Sequence, residues 1–146
     1  KNKLFDSAKF FLKFDNGEIN LNNSYLVSNK IGKLNVDNSS LKFIEDQLIF
    51  KGNFDFQIIN DKEFYKSFQT PKRNRKKLKN IYFDTEFNIF ENSLKIVKIS
   101  LNDLNAEPSD PVKSILEQYS NNQDNKIENW IDLKIFTNKV LENYSG

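Results

Sequence analysis

Residues 48–59, LIFKGNFDFQII, constrain the fold more than any other stretch of the chain. Leu48, Phe50, Phe54, Phe56 and Ile58 share one parity, while Lys51, Asn53, Asp55 and Gln57 fill the other. Side chains of a strand alternate between faces, so this order makes one apolar and one wet face. A helix would scatter the same phenylalanines around its circumference, so the spacing predicts a long, half-buried antiparallel strand. Gly52 falls on the apolar side, where a missing side chain points to a bend, a bulge or a close approach.

The same texture runs through most of the chain. Residues 3–14 alternate with Ala8, Phe10, Leu12 and Phe14 on one side, and Asp15-Asn16-Gly17 is a hairpin turn. Residues 18–27 alternate again, with Ile19, Leu21, Tyr25 and Val27 opposite polar side chains. Leu34 and Val36 form a short strand, 37–40 a turn, and Leu41 with Phe43 another brief strand. Strands follow at 81–90 and 94–101, and the apolar parity changes near Ile96, which predicts a bulge or twist there. No connection among the early strands has room for a crossover helix, so neighbours should run antiparallel as a meander.

Three stretches carry the helical period instead. Asn60 or Asp61 caps a short helix over 61–69 with Phe64, Tyr65 and Phe68 along one side, ended by Pro71. Pro108 and Pro111 bracket a helix start, after which Val112, Ile115, Leu116 and Tyr119 recur at helical spacing. A polar linker at 121–125 leads to a last helix over about 126–144, with Asn125 and Glu128 as its capping pair. Trp130, Leu133, Phe136, Val140 and Tyr144 form its apolar stripe. The expected fold is mostly β within the α+β class. It is a twisted antiparallel meander (1–101) with one apolar face and one short mid-chain helix, then a cap of two C-terminal helices (102–146).

Composition narrows the chemistry. The chain has 146 residues, enough for one domain with a real core, and its 14 phenylalanines supply large buried areas. Histidine and cysteine are absent, which removes the usual general base, the thiolate nucleophile and the commonest transition-metal ligands. No enzyme activity, cofactor or metal is therefore expected. The carboxylates Asp55, Asp84 and Glu86 sit on the wet parity beside lysines, where solvation explains them without an acid–base pair. A net charge of +2 is too balanced for a general nucleic-acid binder. No apolar run approaches a transmembrane length, and a start at Lys1 without methionine suggests a piece of a longer chain.

Two features invite a functional reading. The apolar parity residues Phe50, Phe54, Phe56, Ile58, Phe83, Phe87 and Ile89 form either an ordinary core or a groove left partly open to acyl chains. The run PKRNRKKLK carries Lys72, Arg73, Arg75, Lys76, Lys77 and Lys79 with no acid. Its ordinary reading is a solvated loop; its functional one is a contact with anionic lipid headgroups.

Successive one-sided strands that begin Gly-x-φ-x-φ (Gly17 to Leu21, Gly32 to Val36) lead into FYKSFQTPKRNRKKLKNIYFDTEFNI and end in a short helical tail. This texture, over about residues 17–146, resembles the C-terminal part of AsmA-like envelope proteins of Gram-negative bacteria, the group that includes TamB. The resemblance implies an inner-membrane-anchored parent reaching through the periplasm, with a β-sheet trough that carries phospholipid between the two membranes. The phenylalanine face would line that trough, phospholipid or another membrane lipid would be the partner, and no covalent chemistry is needed. The alternative is an envelope scaffold that recruits proteins by strand addition at the sheet edges.

Overall fold

The computed structural model describes residues 3–121 and 124–144. Eight strand segments form one antiparallel sheet: β1 (Ser7–Lys9), β2 (Lys13–Asp15), β3 (Glu18–Asn20), β4 (Tyr25–Ser28), β5 (Gly32–Ile44), β6 (Gln47–Ile58), β7 (Asn80–Asn88) and β8 (Ser93–Leu101). β1 pairs with β4 and β2 with β3, so the first four segments are one hairpin broken in the middle of both arms. Both β3 and β4 then pair with β5, and β5 to β8 follow as a plain meander. The hairpin closes at Asn16 and Gly17, both at positive φ, as the Asn-Gly dipeptide predicts.

The breaks line up across the sheet. Residues 10–12 and 21–24 interrupt the hairpin arms. In β5, Asn38 and Ser39 together oppose Gly52 of β6, and in β8 Ile96 and Val97 together oppose Thr85 of β7. Each is a bulge, which bends its strand and sharpens the local twist. The expected bulge near Ile96 is there. The expected turn at 37–40 is not: Asn38 takes φ 44° inside an unbroken β5, so turn chemistry produced a bulge rather than a reversal. The long strands expected at 3–14 and 18–27 are each split. Ser24 accepts from the Phe11 amide at 2.9 Å, and Asn22 Oδ1 accepts from the Ser39 amide at 2.7 Å and its hydroxyl at 2.9 Å. These side chains supply, from elsewhere in the chain, partners for backbone that the ladder leaves unpaired.

Three helices lie over the apolar face on one side of this crease: α1 (Asp61–Ser67), α2 (Asp110–Asn121) and α3 (Trp130–Glu142). Of the two expected candidates Asn60 is the cap of α1, its side chain accepting from the Glu63 amide, and Asp61 is the first helical residue. The last helix begins later than its sequence suggests. Ile127 stays extended and bridges to Leu94 of β8, so Asn129 rather than Asn125 becomes the cap, accepting from the Ile131 and Asp132 amides. Of the expected linker 121–125, Asn121 belongs to α2 and residues 122 and 123 lie outside the described residues.

The core forms where the helices meet the sheet. The cross-strand row Leu26, Leu34, Phe56, Ile81 and Leu101 underlies Phe64 of α1, its C-cap Phe68 and the α3 residues Phe136 and Val140. Rings link this layer: Phe56 to Phe64 at 6.0 Å, Phe64 to Phe68 at 4.4 Å and Phe68 to Trp130 at 4.9 Å. Trp130, read as part of the α3 stripe, therefore touches Phe68 while staying well exposed, and the deepest α3 residue is Phe136. The N-terminal segment closes one flank, with Phe5 against Phe56 at 5.8 Å. No helix among the described residues is long and apolar enough to cross a membrane.

Candidate functional site

Beyond the crease the apolar face continues without helices over it. Cross-strand partners share a face, and their register gives one uninterrupted apolar row: Phe14, Ile19, Leu41, Phe50, Phe87 and Leu94. A second row starts with Phe43 opposite Leu48, and the Ile89 amide bonds to the Leu48 carbonyl. Phe14 is 73% exposed, Phe43 68% and Phe90 63%; Phe43 and Phe90 sit 6.2 Å apart at the outer margin. Scattered exposed apolar side chains are ordinary, but a contiguous aromatic patch on one sheet face is the usual mark of a ligand, membrane or partner site.

The seven residues expected to line a groove do not share one environment. Phe56 and Ile58 are buried, at 5% and 8% exposure, beneath the helices, and they belong to the core. Phe54 and Phe83 stack at 5.0 Å and 5° between planes, half-buried against that core at the crease. Phe50, Phe87 and Ile89 lie on the uncovered side. Phe14, Ile19, Leu41, Phe43 and Phe90 complete the surface and were missing from the expected set, as was Leu94, which packs against the core at the end of the row. Strand parity places Phe14, Leu41, Phe43 and Leu94 on the right face, whereas Phe90 lies in the β7–β8 turn, where parity says nothing.

Gly52 is what lets the rings close up at the crease. A Cβ there would come within 3.0 Å of Phe50 Cζ and 3.4 Å of Phe54 Cε2, and those two rings meet edge-on at 6.2 Å above it.

The basic run lies at the opposite end of the strands. It forms a strap, a 3-10 turn at Lys72–Asn74 followed by extended chain, and joins β7 where the Ile58 amide bonds to the Lys79 carbonyl. From Asn80 to Phe87 is seven steps along the strand, roughly 23 Å at about 3.3 Å each, so the strap and the uncovered rows are not brought together. The strap's backbone is pinned: the Tyr65 hydroxyl donates to the Lys76 carbonyl, and Asn102 accepts from the Lys79 amide at 2.7 Å and donates to the Lys77 carbonyl at 2.9 Å. Leu78 is buried, while all six cationic side chains remain exposed. Arg73 pairs with Glu142 at 3.7 Å and Lys76 lies over the Tyr144 ring, so part of the strap's charge ties it to the end of α3.

The wet face carries ordinary polar pairs. Asp84 accepts from the Asn53 amide group, Asp55 accepts from Asn80 Nδ2 at 3.0 Å, and Glu86 meets Lys51 at 3.7 Å. Burial, with Asp55 and Asp103 adding to it, pushes the Tyr82 phenol above its usual range. Among the described residues no cluster of acidic side chains has the arrangement to hold a metal ion. No family model, no curated protein and no solved structure matches the chain.

Proposed function

We propose that this chain is a non-enzymatic lipid-handling domain whose uncovered half-sheet carries acyl chains. The observation that supports this reading is the continuous row from Phe14 to Phe87, five side chains wide and outside the helical cover, with Leu94 at its end packed against the core. Each methylene removed from water contributes about 0.8 kcal/mol, so a hydrocarbon tail gains along the whole row and needs no directional contact. The texture shared with AsmA-like proteins suggests the setting: a periplasmic segment of an inner-membrane-anchored parent, moving phospholipid between the inner and outer membranes.

The test is lipid content. The chain is purified from a Gram-negative host without detergent and its organic extract examined by mass spectrometry, beside a Leu41→Lys/Phe87→Lys variant. Phospholipid in stoichiometric amount with the parent sequence, and at least tenfold less with the variant, is the expected result. A lipid-free preparation that also takes up none from vesicles would rule the reading out.

A scaffold reading has one observation of its own. Outside its pairing with β7, β8 pairs only through the Leu94–Ile127 bridge among the described residues, which leaves edge groups for an added strand. Lipid-free protein that captures an extended peptide along β8 would favour it.

A further inference from the structure

An apolar cavity of about 130 Å³ lies between the sheet and the helices, with Phe83, Ile96, Ile99, Leu133, Phe136 and Thr137 among its walls. Thr137 contributes the one polar side chain of its lining. A water molecule needs two to four polar partners, whereas apolar cavities of roughly this size stay dry and accept hydrocarbon. The volume is well below the roughly 300–1,000 Å³ of a pocket that encloses a whole small-molecule ligand. It suits the end of something longer.

The aromatic contacts supply the route. Phe83 forms a wall of the cavity and stacks on Phe54 at 5.0 Å, and Phe54 meets Phe50, which belongs to the uncovered row. Apolar side chains therefore adjoin one another all the way from the open sheet to the cavity wall. We infer that the cavity is a terminal pocket for one unbranched acyl tail, whose remaining length lies across the crease on the uncovered half-sheet. The inference rests on the lipid-handling reading and adds what that reading lacks: a fixed end, a preference for tail length, and a bias against rigid polycyclic lipids, which cannot thread such a small space. The headgroup then points away from α3, toward the Phe43–Phe90 margin.

The experiment titrates fatty acids from octanoate to palmitate, each below its micelle concentration, into the wild-type chain and a Thr137→Phe variant that fills the cavity. Affinity should rise about fourfold for each added methylene. In Thr137→Phe the rise should stop at a shorter chain. A folded Thr137→Phe with the same length dependence as wild type would overturn the pocket and leave the open half-sheet standing; no binding at any length would overturn both. A second measurement needs no variant: stearate carrying carbon-13 at its terminal methyl should show nuclear Overhauser contacts to the Thr137 and Ile96 methyls, and one labelled beside the carboxylate should not. The reverse pattern, or contacts from both labels, would overturn the proposed orientation.

Discussion

Phe56 and Phe50 stand on one strand, on one face and at one parity, yet only Phe56 is sealed beneath helices. The crease at Gly52 divides the environments. Toward Ile58, Phe64 of α1 packs on the sheet and links through Phe68 to Trp130 of α3; toward Gln47, the rings of Phe50 and Phe43 meet only other rings of the sheet and its turns. Identical residue types thus hold the fold together in one half and face solvent in the other. Apolar content alone does not define a core; a second layer does.

The comparison predicts unequal mutational costs. Phe136→Ala, which empties a site 1% exposed, should lower stability by about 3–5 kcal/mol in urea unfolding, while Phe43→Ala on the open half should stay within about 0.5 kcal/mol. Equal losses would mean the open half is packed against something. The glycines sharpen the contrast. At Gly32, with φ 154°, a Cβ would sit 1.9 Å from the Gln57 carbonyl oxygen, so Gly32→Ala should cost about 3 kcal/mol or more. At Gly52 the obstacle is the half-exposed Phe50 ring, which can swing outward, so Gly52→Ala should cost about 1 kcal/mol. Asn129→Ala removes the α3 cap and should cost about 1 kcal/mol, read as a lower Tm.

The smallest effect appears only at high pH. Burial, with Asp61 adding to it, raises the Tyr65 phenol above its ordinary 10.0. Above that value the unfolded chain loses the proton first, so the stability that the neutral phenol contributes is complete below about pH 10 and falls as pH rises through the folded value. The lead of wild type over Tyr65→Phe should therefore shrink above pH 10.0, and a constant lead would place Tyr65 in a wetter setting than its burial indicates.

Local rules made much of this legible. Alternation identified β6 and the parity switch at Ile96, and turn and capping chemistry identified the Asn16-Gly17 turn and Asn60 as one of two cap candidates, because each depends on neighbours in sequence. What stayed hidden depends on distant partners. Asn38 reads as a turn residue, and only its place opposite Gly52 makes it a bulge. Asn125 looks as good a cap as Asn129 until Ile127 is claimed by Leu94. The groove residues show the same limit: parity told which face they share, but docking of α1 and α3 decided which of them remain accessible.

The aligned irregularities also act as a key for strand pairing. Were β5 to slip by two residues along β6, Asn38 and Ser39 would meet Phe50 or Phe54 instead of Gly52. A featureless ribbon of alternating phenylalanines could zip in several ways at similar energy; notches at one level in successive strands make every mispairing visible to its neighbours, so the sheet can be long, greasy and still assemble in a single alignment.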